Sequence, residues 1–341
     1  MRLFKFLCFF SLIIAGLAAN SQAVDSIKFF TDEKLIDMTI TTDIRKLQIE
    51  KSIDVYQDAD VSFHFPDSTV INEQIKVCPR GHFRRTYCTI PPMELNFHTP
   101  TSPRLNNLGK LKLVIGCGNS LEDEQLILKE YLCYKMYNVL ESKSFRVRLL
   151  RVTYKDARNK MKSYTQYAFM IEDDNDLAKR NSCEKREKSP VYQEATNRAL
   201  MTKVSVFEYL ISNGDWSVYN GHNIKVIYDK KNPTASPYAV PYDFDHSGMV
   251  NAGYATPNEI LGTETVKERV YRGFPRTMEE LELVFEEFRN KRAEINAVIM
   301  NFPLLKDKVK KEMVSYIDEF YKTINSQSDV QYVFIDNARK S

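Results

Sequence analysis

The alternation of hydrophobic and polar positions predicts a chain whose first half is rich in strands. Short runs that alternate, or that are rich in β-branched residues, are typical of half-buried strands. Such runs occur at residues 38–40, 61–65, 75–77, 108–115, 145–154 and 164–171. The last two runs are close enough in the chain to form a hairpin, which would end at Glu172.

Helical spacing of apolar residues dominates the second half. Helices are predicted at residues 194–212, 278–300 and 309–324, and one long helix at 121–140 interrupts the strand-rich half. Pro303 separates the last two helices, since proline does not fit a helix interior. Strand-rich segments therefore precede helical ones, with a boundary near residue 172, which indicates an α+β fold.

The first 23 residues have the pattern of a signal peptide. Arg2 and Lys5 precede an apolar run at 6–19, and Ser21 and Ala23 are small residues suited to the cleavage site. The run is short for a membrane span, and no second long apolar stretch follows it. We expect an exported protein, periplasmic or secreted, with no membrane span after cleavage. The net charge of +3 over 341 residues gives no reason to expect nucleic-acid binding.

Five cysteines follow the signal segment, and disulfides are permitted in an exported protein. They are Cys78, Cys88, Cys117, Cys133 and Cys183. The odd number leaves one thiol over, and the absence of a CxxC pair speaks against a zinc site. Cys78 and Cys88 flank a turn whose two strands should pair, so we predict a disulfide between them.

That turn, CPRGHFRRTYC, is rich in arginine. Gly81 permits a tight backbone, and Arg80, Arg84 and Arg85 place three positive charges on it. Such a turn could close over phosphate groups. The alternative is an exposed hairpin tip without a ligand.

A strand and the helix after it supply one further charged pair. The alternation in 108–115 puts Leu111, Leu113 and Ile115 on one face, with Lys112 on the other. Glu130 is the one carboxylate in the apolar interior of the helix at 121–140. A charge in such surroundings needs a partner, and Lys112 is the candidate. Alternatively, Glu130 points to solvent.

The chain is organised around residues 213–248. Asp215 lies on a loop, Asn223 stands just before a strand, and Asp243 and Asp245 follow a second short strand. Phosphoryl transfer needs one carboxylate to orient the attacking hydroxyl, together with an amide oxygen and a second carboxylate to hold magnesium. The order of these residues matches that need.

These motifs resemble the CotH-type kinases, an atypical kinase family named for a bacterial spore-coat protein. The resemblance covers about residues 60 to 275 and is carried by GDW at 214–216, HN at 222–223 and PYDFDHSG at 241–248. It implies an atypical kinase-like fold of two lobes. Residues 24–172 would form a β-rich N-terminal lobe with one long helix, and residues 173–341 a mostly helical C-terminal lobe.

The resemblance also implies roles for individual residues. Asp215 would be catalytic, and Asn223, Asp243 and Asp245 would hold the metal. Asn220 is the rival to Asn223, because it lies five residues after Asp215, as in ordinary protein kinases. The residues that would contact the nucleotide are Lys112 with Glu130, Glu172 beside the adenine, and Arg80 and Arg84 at the phosphates.

The family transfers the γ-phosphate of ATP, with Mg²⁺ or Mn²⁺, to Ser or Thr hydroxyls of exported proteins. The expected partner is therefore a protein substrate in the envelope or outside the cell. Two alternatives stay open. One is a pseudokinase that serves a binding or structural role, since exported compartments hold little ATP. The other is a glycosyltransferase whose DxD motif would be Asp243 to Asp245, although that enzyme would need a parallel sheet.

Overall fold

The computed structural model describes residues 27–50, 52–53, 55–81, 83–98, 100–105, 108–118, 120–186 and 190–340. The predicted signal peptide lies outside these residues. The strands are β1 (Ile36–Thr42), β2 (Gln57–His64), β3 (Val70–Pro79), β4 (Met93–Phe97), β5 (Gly109–Ile115), β6 (Val147–Asp156), β7 (Tyr164–Ile171), β8 (Cys183–Glu184), β9 (Ile224–Asp229) and β10 (Tyr238–Pro241).

The described residues form nine α-helices, of which four are long. They are α1 (Ile27–Thr31), α2 (Ile44–Ile49), α3 (Phe83–Tyr87), α4 (Leu121–Leu140), α5 (Asp174–Arg180), α6 (Arg198–Ile211), α7 (Met278–Met300), α8 (Asp307–Ile324) and α9 (Gln327–Val330), followed by a π-helical turn at Gln331–Asp336. The predicted bounds of α4 and α7 are confirmed. No helix in the described ranges is long and apolar enough to cross a membrane.

Seven strands close into a barrel in the order β1-β2-β3-β4-β5-β7-β6. The pairings are antiparallel except at the closing seam, where β1 runs parallel to β6 with Ile36 opposite Leu150. Strands β10, β9 and β8 form a separate three-stranded antiparallel sheet. The described strands therefore do not form the parallel sheet that a Rossmann-like glycosyltransferase would need.

Two hydrophobic cores follow from strand alternation, because successive side chains point to opposite faces. On β5, Leu111, Leu113 and Ile115 share one face, as predicted; this face points into the barrel and packs with residues such as Phe63. Val114 points outward and belongs to a second core, which also contains the buried side chains of α4, α6, α7 and α8. The outer face of the barrel is thus covered by helices along β5, β6 and β7.

The predicted two-lobed kinase-like fold is wrong. Residues 24–172 were expected to form a β-rich lobe with one long helix, whereas here β1 pairs with both β2 and β6 and closes the sheet into a barrel. The second core runs without a break from the barrel's outer face through α4 to α8. The architecture is a closed, mixed seven-stranded barrel with helices around it.

Candidate active site

The hairpin of β9 and β10 positions the centre of the site. Pro241 pairs with Ile224 across the hairpin, and the next N–H, that of Tyr242, donates to the carbonyl oxygen of Asn223 at 3.0 Å. Asn223 and Asp243 both have left-handed backbone, with φ of 52° and 66°. Asn and Asp tolerate this region better than most residues, and it is frequent at functional sites. Two predicted metal ligands therefore lie close together in strained backbone.

Three carboxylates form what we call the acidic cluster: Glu130 from α4, and Asp243 and Asp245 after β10. Arg84 of α3 reaches into it, with Nη1 3.9 Å from Glu130 Oε2 and 3.7 Å from Asp245 Oδ2. The Tyr254 hydroxyl donates to Asp245 Oδ2 at 3.0 Å. Glu130 is 1% exposed, and its Oε1 has no hydrogen-bond partner. The cluster is therefore short of positive charge and of hydrogen-bond donors.

Burial and mutual repulsion shift the proton affinities of the acidic cluster. Burial, followed by the charge of Asp245, raises the pKa of Asp243 and raises that of Glu130 well above its usual range. The positive charge of Arg84 opposes both shifts. A further cation in the cluster would favour the ionised carboxylates in the same way.

Two lysines lie over the ring of Tyr242, the residue before Asp243. Lys112 Nζ lies 4.6 Å from the centre of this ring, and Lys225 Nζ lies 5.3 Å from it. Burial, followed by repulsion from Arg80, lowers the pKa of Lys112 to about 8, while Asp243 acts in the opposite direction. Positive and negative groups are thus brought together at one place, as a site for a metal and a phosphate chain requires.

Lys225 was not among the residues predicted from the sequence. No local pattern singles it out, because its contact with the Tyr242 ring depends on the pairing of β9 with β10. The predicted ion pair between Lys112 and Glu130 is wrong. The ion-pair partner of Glu130 is Arg84, while Lys112 lies over Tyr242.

Asp215 occupies a loop next to this hairpin and is held by two side chains. His222 Nε2 lies 2.8 Å from Asp215 Oδ1, and Asn223 Nδ2 donates to Oδ2 at 3.1 Å and to the Asp215 carbonyl at 2.7 Å. No role was predicted for His222. Asn220 is exposed on the turn, and its backbone N–H donates to Ser217 Oγ at 3.3 Å. Of the two candidate asparagines, Asn223 is the one bonded to Asp215.

A pocket of about 220 Å³ borders Asp215. Its walls combine backbone and short polar side chains with the ring of His246. They include Asn213, Gly214, Thr256, Asn258, Thr263 and Thr265. The Asp215 side chain is 41% exposed, so its carboxylate is accessible to a hydroxyl group that enters from solvent. The pocket can therefore receive a small hydroxyl-bearing group beside a carboxylate.

Glu172, predicted to lie by an adenine, is bound inside the protein. Its side chain is 1% exposed and forms a two-point ion pair with Arg180, at 2.8 Å and 3.0 Å. The backbone N–H of Arg146 donates to the same carboxylate at 3.1 Å. These bonds use both carboxylate oxygens, which gives Glu172 a structural ion pair.

The arginine-rich turn contains a short helix, α3, in the connection between the paired strands β3 and β4. The predicted disulfide between Cys78 and Cys88 is wrong, because Cys88 bonds to Cys117 and the Cys78 thiol donates to the carbonyl of Ile53 at 3.1 Å. The physical reason is local: α3 takes up the residues that were expected to pair with β3. The disulfide fastens α3, and with it Arg84, to the segment after β5.

No family model matches the chain, and no curated protein matches it significantly.

Proposed function

We propose that this protein transfers the γ-phosphate of ATP to a Ser or Thr hydroxyl of an exported or envelope protein. The observation that carries the proposal is the junction at the β9–β10 hairpin. There Asn223 is bonded to Asp215, its carbonyl oxygen accepts from the backbone N–H next to Asp243, and the charge of Lys112 acts on Asp243. The resemblance to CotH-type kinases supports the same activity, and the activity depends on this site and not on a two-lobed architecture.

Asp215 is the group that would orient the attacking hydroxyl. Its carboxylate borders the pocket, and His222 and Asn223 hold it by bonds of 2.8 Å and 3.1 Å. A carboxylate fixed in this way aligns the hydroxyl and accepts its proton late in the transfer. Positioning and electrostatics supply most of the catalysis in such reactions.

The residues at the hairpin fit a magnesium ion. Within the described residues, no three His, Cys, Asp or Glu side chains are arranged to hold a metal by themselves. Magnesium is usually held by one or two carboxylates together with phosphate oxygens, and Asp243 and Asp245 would be those carboxylates. The Asn223 amide nitrogen is used by Asp215, which leaves its oxygen for the metal. The metal would neutralise the charge of the phosphates.

The test compares Asp215→Asn with the wild-type protein. We expect phosphate transfer to a Ser/Thr-rich acceptor, or to the protein itself, to fall by about a hundredfold or more. The melting shift caused by ATP and magnesium should persist, because Asp215 does not lie in the acidic cluster. Asp229→Asn is the matched control, since Asp229 ends β9 away from the pocket.

Asp243→Ala should remove both transfer and the melting shift. Transfer by Asp215→Asn at the wild-type rate would show that Asp215 is a structural loop residue and that the catalytic assignment is wrong.

One observation favours a second candidate, a non-catalytic binding or structural protein. Arg84 already contributes a positive charge to the acidic cluster, within 4 Å of Glu130 and Asp245. An arginine in that place could make a metal unnecessary. The same experiment separates the two functions, because this candidate predicts no phosphate transfer by the wild-type protein even when ATP binds.

A further inference from the structure

Two lysines share one aromatic ring beside Asp243. Lys112 comes from β5 of the barrel and Lys225 from β9 of the small sheet, so different parts of the fold bring them together. Their Nζ atoms lie 4.6 Å and 5.3 Å from the centre of the Tyr242 ring. A ring attracts an ammonium group, but by far less than a charged partner does.

The carboxylate of Asp174 is shared by more than one lysine. Asp174 is the nearest carboxylate, with Oδ2 3.2 Å from Lys225 Nζ, and it also lies 3.6 Å from Lys185 Nζ. The charges of Lys112, Lys225 and Lys185 together lower the pKa of Asp174. Arg80 adds a further positive charge near Lys112. Lys225 and Lys185 therefore share the carboxylate of Asp174, and Lys112 is under the influence of the charges of both Asp174 and Asp243.

We propose that Lys225 and Lys112 form a two-point clamp for a polyphosphate chain, with Tyr242 setting their spacing. This inference rests on the proposed function and extends it, because it assigns a phosphate-binding role to Lys225. The Lys225 side chain is 25% exposed, so its ammonium group can turn from Asp174 to a ligand. Two ammonium groups on one ring favour a ligand that carries several adjacent phosphate charges over one that carries a single phosphate.

A purely structural role for Lys225 is the competing explanation. In that case Lys225 only neutralises Asp174, and its loss would affect folding stability but not ligand affinity. Two substitutions distinguish these roles: Lys225→Met removes the positive charge, and Lys225→Arg keeps it. Lys230→Met is the matched control, since Lys230 is an exposed lysine just after β9.

The experiment measures binding of ATP, AMP and inorganic tripolyphosphate, each with magnesium, by titration calorimetry on the whole chain. Lys225→Met should weaken ATP and tripolyphosphate about tenfold or more, the usual effect of losing a hydrogen bond from a charged group. AMP binding should hardly change. Lys225→Arg should keep most of the affinity, and Lys230→Met should keep all of it.

Equal affinity of Lys225→Met and wild type for tripolyphosphate would overturn the clamp, and so would an equal loss of affinity for AMP. These results differ from a failure of the proposed function. Wild-type protein that binds tripolyphosphate through Lys225 but transfers no phosphate from ATP would keep the clamp and reject the kinase activity. Transfer from ATP that is unaffected by Lys225→Met would keep the activity and reject the clamp.

Discussion

Removal of the disulfide between Cys88 and Cys117 should change both the stability of the fold and the position of Arg84. The bond closes a loop between cysteines 29 positions apart. It fastens α3, a helix of five residues, which is too short to be stable by itself. Arg84 belongs to this helix, and its Nη2 also donates to the carbonyl of Ile115, two residues before Cys117.

The size of the effect follows from the entropy of the unfolded chain. A loop of this length gives a stabilisation of roughly 3.6 kcal/mol at 25 °C. The double variant Cys88→Ser with Cys117→Ser should lose about that much free energy of unfolding. The loss adds to any weakening of the contact between Arg84 and the acidic cluster.

Two measurements on the same protein test this reasoning. Urea unfolding, followed by circular dichroism, gives the difference in free energy of unfolding. Limited digestion with trypsin reports on α3, because cleavage after Arg84 needs this buried residue to become exposed. Both unfolding at lower urea and faster cleavage are expected in the double variant. A mild reductant should reproduce both effects in the wild type and have no effect on the double variant.

If the double variant unfolds at the same urea concentration as the wild type and resists trypsin as well as the wild type does, the disulfide neither stabilises the fold nor holds α3 in place. A loss of stability with no change in cleavage after Arg84 would show that the disulfide does not position the arginine.

Two further predictions concern charged residues near the site. Burial lowers the pKa of Lys112 from 10.5 to about 8, so the unfolded chain binds more protons than the folded chain between pH 8 and pH 10.5. Relative to Lys112→Met, the free energy of unfolding of the wild type should therefore rise with pH over this range. ATP affinity should fall over the same range, because Lys112 loses its charge. Parallel pH profiles for the two proteins would reject this shift. Glu172→Ala leaves Arg180 buried without its partner and should cost roughly 3–5 kcal/mol in urea unfolding, with ATP affinity unchanged at low temperature. Weaker ATP binding without a loss of stability would instead support the adenine role.

Elements with local causes could be predicted from the sequence. The helix α4 begins after Ser120, whose side chain and that of Asp123 form a capping box, and α7 begins after Thr277 in the same way. The faces of β5 followed from simple alternation. Apolar spacing and caps act over a few residues, so the sequence shows them directly.

Barrel closure could not be predicted, because it depends on residues far apart in the chain. The pairing of Ile36 with Leu150 leaves no local signal in either segment. The disulfide prediction failed for a related reason: the partner of Cys88 depends on whether α3 or a strand follows Gly81. At the site, the order of polar residues along the chain pointed to Asp215 and Asp243. The contacts of Arg84 with Glu130 and of Lys225 with the Tyr242 ring could not be predicted, because they join segments far apart in the chain or depend on strand pairing.

The closing seam of the barrel has a consequence for how shortened forms of this protein would behave. Strand β1 is bonded to β2 on one side and to β6 on the other. A shortened chain that begins after Thr42 lacks β1. Its strands β2 and β6 would therefore each have an uncovered edge, with a row of unpaired N–H and C=O groups. Such edges pair with strands of other molecules, so we expect the shortened chain to self-associate instead of folding as a smaller monomer. During synthesis the seam cannot form until residue 150 has emerged, and a chaperone that shields β1 in that interval would protect the whole barrel.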